Sequence, residues 1–170
     1  DRRSIINCHN NLCLLYAQHG ELAKAHEYGE RVLQAAKRFA VEPELVANAH
    51  GNLAVACMSA ERLDAALIHL HEALRIHQRF DMRRHMVATY FNLAETHYKR
   101  YKAQGDPEDE RLGDQNAAVA QTIGRELGLE GFVQNTAGLK REILGAAQEP
   151  DKLAAPEHAA RLRANADALS

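Results

Sequence analysis

Ten histidines and three cysteines are the residues of this 170-residue chain with the widest capacity for chemistry. His9 and Cys13 stand four apart, a spacing that puts two metal ligands on one helical face. Both also fall on the apolar face of that helix, so packing explains them as well as ligation does. Around His69 neither Glu72 nor Ala73 extends a ligand set, and His71 points away from it on a helix. His69, His71 and His77, with His85 nearby, read as a solvated face, the sharper alternative being a pH-responsive contact. No metal site and no cofactor are expected.

Catalysis has as little to stand on. The three serines, Ser4, Ser59 and Ser170, lie outside any Gly-x-Ser-x-Gly elbow. Gly124, Gly128 and Gly131 lack dinucleotide spacing, and neither a phosphate loop nor a His-Glu-x-x-His pair occurs. Cys57 occupies a packing position and reads as buried and inert. An enzyme is not expected. Arg75, Arg79, Arg83, Arg84 and His85 form a basic cluster, which either complements a helix C-terminus or meets an acidic partner segment. Asp106, Glu108, Asp109 and Glu110 read as a solvated loop within a polar stretch over 104–113.

What must position these residues is helix. Ala, Leu, Glu, Gln, Arg and Lys dominate, with no Trp and only four Pro. Those side chains lose least on entering a helix. Hydrophobic residues make up 46% and charged ones 26%, enough for one folded domain. Charge nearly cancels, 21 Lys and Arg against 23 Asp and Glu giving −2, which argues against nucleic acid or a membrane surface as partner. Three cysteines are too few for a disulfide scaffold, so a reducing, cytoplasmic setting is expected. No apolar run reaches the roughly 18 residues of a membrane span, and the first ten residues lack a signal-peptide pattern. The chain opens on Asp1 and not Met, as a piece of a longer protein would.

A repeat organises the helices. His9–Phe39 aligns with His50–Phe80 at an offset of 41, with eight of 31 positions identical. They are His9/His50, Asn11/Asn52, Leu12/Leu53, Leu22/Leu63, Ala25/Ala66, Leu33/Leu74, Arg38/Arg79 and Phe39/Phe80. A third copy starts where Asn52-Leu53-Ala54 recurs as Asn92-Leu93-Ala94. In the second copy Leu63, Ala66, Leu67, Leu70, Leu74 and His77 follow steps of three and four, one helical face. The spacing predicts helices over 4–18, 21–39, 43–58, 62–80, 83–103, 114–127, 131–147 and 153–168, with Phe39 and Phe80 plugging the junctions between copies.

His9, Leu12, Cys13 and Tyr16, then Gly20, Leu22 and Ala25, resemble the pattern of a tetratricopeptide repeat (TPR). His50, Leu53, Ala54 and Cys57 with Leu63, Ala66 and Ala73-Leu74 repeat it, and Tyr90, Leu93, Ala94 and His97 begin it again. The resemblance covers residues 4–147 and is to the long-helix variety, since the period is 40 to 41 and not the usual 34. It implies an all-α superhelix of about three long repeats over 1–147, with an Ala-rich tail or capping helix over 148–170. The first helix of each copy would line a concave groove. Groove residues would be Asn7, Asn10, Asn11 and Leu14, then Asn48, Asn52 and Val55, then Phe91, Asn92 and Glu95. An Asn amide both donates and accepts, so the Asn11, Asn52 and Asn92 series suits an extended peptide backbone. The basic clamp for a C-terminal carboxylate is missing, its places being held by Asn10, Gly51 and Phe91. A protein-interaction module for a peptide or a partner helix is therefore the first expectation. The other is a sensing or dimerising segment of a larger bacterial signalling or transcription-regulatory protein, with a second copy as partner.

Overall fold

The computed structural model describes residues 1–145, and the expected helix over 153–168 lies outside them. The chain is all-α. Seven α-helices occur among the described residues: α1 Arg2–Gln18, α2 Leu22–Arg38, α3 Pro43–Ser59, α4 Leu63–Arg79, α5 Arg83–Gln104, α6 Pro107–Glu126 and α7 Glu130–Lys140. A π-helical turn, Arg141–Gly145, closes the series where a longer α-helix was expected. Two compact units result, one over Asp1–Asp81 and one that begins at Met82. In the first, α1 packs on α2 and α3, and α3 on α2 and α4. In the second, α6 packs on α5 and α7, while α5 also meets α7 and the π-turn.

Local chemistry sets the ends. The Asp1 carboxylate accepts from Arg3 N–H at 3.2 Å and caps α1. Pro43 and Pro107 open α3 and α6 in the first turn, where a missing N–H costs nothing. Three helices end in the same way. Gly20, Glu61 and Gly128 take left-handed backbone, with φ of 72°, 56° and 70°. The following N–H of Glu21, Arg62 and Leu129 reaches back to Tyr16, Cys57 and Gly124 carbonyls at 2.9, 2.8 and 2.8 Å. This double-bonded stop satisfies carbonyls that the last turn would otherwise leave open.

The interiors differ. In the first unit small and aliphatic side chains pack: Ile6, Val32 and Ala49 form one cluster, Cys57, Met58 and Ala66 another. Gly29 lets α2 approach α3 so closely that a Cβ there would stand 2.7 Å from Leu53 Cγ. The second unit has an aromatic core of Val87, Phe91, Ala94, Tyr98, Ala117, Phe132, Leu139 and Ile143. Gly113 of α6 faces the Tyr98 ring, with room for no Cβ.

Two expectations are corrected. The stretch over 104–113 is not a loop, since α6 starts at Pro107 and only Gly105 and Asp106 separate it from α5. Asp106 caps α6 by accepting from Glu108 N–H at 3.0 Å, and Glu108, Asp109 and Glu110 fill the first turn, where carboxylates favour the helix dipole. Phe39 and Phe80 do not plug junctions. They follow the ends of α2 and α4 and stand 42% and 49% exposed, each covered on one face by an arginine, Arg2 and Arg79 respectively.

Candidate functional site

On α1, Asn7, Asn10, Asn11 and Leu14 fall at steps of three and four, and the structure separates their roles. Asn10 is buried, and its Nδ2 donates to the Leu45 carbonyl of α3 at 3.1 Å. Asn52 of α3 answers it, its Nδ2 lying 3.2 Å from the Asn10 carbonyl and 3.3 Å from Asn10 Oδ1. The two amides therefore clasp α1 to α3. Val55 is buried beside them in sequence, while Asn7, Leu14 and Asn48 are half-buried and Asn11 is exposed. The Asn11 amide makes no hydrogen bond among the described residues.

The second unit treats its share differently. Phe91 is a core residue, its ring edge-on to Phe132 with centroids 6.3 Å apart. Glu95 is buried, with Lys99 Nζ 3.0 Å from its Oε1. Asn92 stays half-buried, and its carbonyl accepts from Thr96 Oγ1 at 2.7 Å. Of these three, Asn92 alone carries a side-chain amide and alone is not buried.

Of the four histidines expected on one solvated face, His71 is exposed and His85 half-buried. His77 is buried, and His69 is half-buried against His50, with Nδ1 atoms 3.1 Å apart and ring centroids 5.4 Å apart. His9 meets Tyr28 in the same way, centroids 5.8 Å apart, so a helix-to-helix ring pair recurs at the offset of 41. Tyr28 also stacks on Tyr16, centroids 5.6 Å apart. Burial depresses the His50 and His69 pKa values, His50 further through the charge of its partner. Burial pushes the Cys13 thiol up to about 12 and raises Cys57 as well, so neither is a nucleophile near neutral pH. Among the described residues no group of three or more His, Cys, Asp or Glu is placed to hold a metal ion.

Sequence reasoning missed one constellation. Asp109 is buried, with His97 Nδ1 2.8 Å from Oδ1 and Arg100 Nε 3.3 Å from Oδ2. Nearby, Asp114 accepts from Tyr98 Oη and from Lys140 Nζ, both at 2.8 Å, and Lys140 reaches Glu110 at 2.8 Å. The signal was present in Asp106-Pro107, a helix start that places Asp109 in the first turn. Ile5 and Leu15 were missed too. They stand 56% and 44% exposed and share one face of α1 with Cys8, at steps of three and seven.

Two members of the basic cluster pair with neighbouring carboxylates. Arg75 pairs with Glu72 at 2.8 Å, and Arg83 with Glu126. No family model, curated protein or solved structure matches the chain. No helix of the described residues is long and apolar enough to cross a membrane.

Proposed function

We propose that the chain is a TPR-like interaction module of the cytoplasm, which holds an extended peptide or a partner helix against α1 and α3. The observation that carries this reading is the division of labour among the asparagines. Asn10 and Asn52 fix the spacing of α1 and α3, while Asn11 is exposed with a donor and an acceptor that make no hydrogen bond among the described residues. A rigid support with free amide groups suits main-chain recognition, because little ordering is left for binding to impose. Asn7, Leu14 and Asn48 flank it as half-buried contacts.

Selection from a random-peptide display library on the full chain tests the reading. Selected peptides should lose about fivefold in affinity against Asn11→Ala, the weight of one amide hydrogen bond of ~1 kcal/mol. Asn11 is exposed within α1 and Ala is the better helix former, so the variant's unfolding midpoint should not fall. No enriched peptide, or equal binding by the variant, would sink the proposal.

One observation favours a second reading, a segment that self-associates. The Ile5, Cys8 and Leu15 face of α1 is exposed and largely apolar. Light scattering over a tenfold concentration range would then show a dimer, which Leu15→Glu would dissolve.

A further inference from the structure

The His50–His69 pair has a chemistry that its counterpart in the first repeat lacks. Both pairs join the two helices of a hairpin at the same register, His9 to Tyr28 and His50 to His69. Tyr28 is a phenol with no charge to gain in mild acid. His69 is an imidazole whose Nδ1 lies 3.1 Å from Nδ1 of His50. At that distance one nitrogen donates its proton and the other accepts it, so the tie requires at least one ring to keep an Nδ1 lone pair. When both rings are protonated, both Nδ1 atoms carry hydrogens that point at each other. The bond is lost and two positive charges face across it.

Other groups do not remove the conflict. On α4, Glu72 favours a charged His50, but Arg75 holds that carboxylate at 2.8 Å and adds its own opposing charge. On α2, Glu30 favours the charged form of both rings, while His26 opposes it at His69. Half-burial of both rings disfavours charge further. Metal binding is not the better explanation, because two nitrogens lack a third ligand among the described residues.

We propose that the His50–His69 pair is a proton-sensitive latch between α3 and α4, closed near neutral pH and released by proton uptake in mild acid. The sign follows from linkage. Both rings are held below the ordinary histidine value of about 6.5 in the folded chain, so the unfolded chain binds more protons as pH falls below that value. Stability from the latch is full above about pH 6.5 and is lost as pH drops through the folded values. Each unit of depression per ring is worth tenfold in the opening equilibrium.

Hydrogen exchange on the full chain at pH 7.5 and 5.5, expressed as protection factors, reads the latch directly. In wild type, protection in 43–79 should fall by about tenfold or more between the two pH values. In a variant carrying His50→Gln and His69→Tyr the fall should shrink to less than about threefold, as both titrating rings are gone. An equal fall in both proteins would overturn the proposal. A histidine NMR titration of wild type needs no variant and guards against one that folds badly. His50 and His69 should titrate below about 6.5 with mutually dependent curves. Independent titration of the two rings at or above that value would also overturn it.

Discussion

The two units solve one problem with different chemistry. Each must hold neighbouring helices in a fixed register, and apolar packing alone leaves that register loose. The first unit uses neutral groups: the Asn10–Asn52 clasp and two ring pairs. The second uses charge: Asp109 between His97 and Arg100, and Asp114 between Tyr98 and Lys140. Neutral ties cost little to desolvate and fail gently. A buried charge such as Asp109 costs much to desolvate and fails hard when one partner goes, whereas Asp114 and Lys140 are partly exposed. The difference teaches where each unit is brittle.

The sharpest way to break the comparison is Asp109→Ala. It takes the buried carboxylate away from His97 and Arg100 and should cost about 3 kcal/mol, read as a fall in the urea midpoint. Protection in 83–126 should drop while 43–79 keeps its own. A loss below ~1 kcal/mol would mean that water reaches the site and that the charged network is ordinary surface.

Asn10→Ala is the matching cut in the first unit and should cost less, about 2 kcal/mol. It removes the side-chain acceptor of Asn52 Nδ2, which keeps only the backbone carbonyl of residue 10, and takes a buried donor from the Leu45 carbonyl. Asn52→Ala, which leaves the Asn10–Leu45 bond in place, should cost about half as much. Were Asn52→Ala the more damaging of the two, the clasp would not be centred on Asn10.

The contrast also shows what the sequence could and could not reveal. The helix hairpins of the first unit were legible because apolar spacing and turn residues report on one helix at a time. Leu63, Ala66, Leu70 and Leu74 announce their face without reference to any other segment. The clasp was not legible. Asn10 and Asn11 are the same residue type one step apart, and only the rotation of α1 against α3 decides which turns inward. The His50–His69 pair was hidden for a related reason, since its members lie 19 positions apart on different helices. Asp109 was misjudged through charge density. Four acidic residues close together suggest water, yet a helix that starts at Pro107 sends one of them inward each turn.

pH separates the units further. Burial works to raise the Asp114 carboxyl, but hydrogen bonds from Lys140 and Tyr98 and the Lys140 charge outweigh it and hold the group below the ordinary range. Its contribution is therefore full above the unfolded carboxylate value of about 3.9 and lost only as pH falls through the folded one. Asp114 is half exposed, so solvent screens the effect and it should be small. Protection in 107–140 should hold from pH 7.5 to 5, where 43–79 is already loosening, and decline only below about pH 4. Simultaneous loss in both segments would mean that the units respond as one.

The smallest effect expected is a gain. Gly20 and Glu61 hold the same place in successive repeats, and both adopt left-handed backbone at the end of a first helix, with φ of 72° and 56°. Glycine bears that geometry freely, whereas a residue with a Cβ is strained by ~1–2 kcal/mol. Glu61→Gly removes the strain and returns part of it through the greater freedom of glycine in the unfolded chain. A net gain of about 0.7 kcal/mol should appear as a higher urea midpoint with an unchanged slope. Asp81, with φ of 51°, is the control, because a short polar side chain tolerates this region better than glutamate does. Asp81→Gly should therefore gain less than Glu61→Gly. The reverse order would show that the Glu61 side chain contributes something to its turn that the backbone geometry does not record.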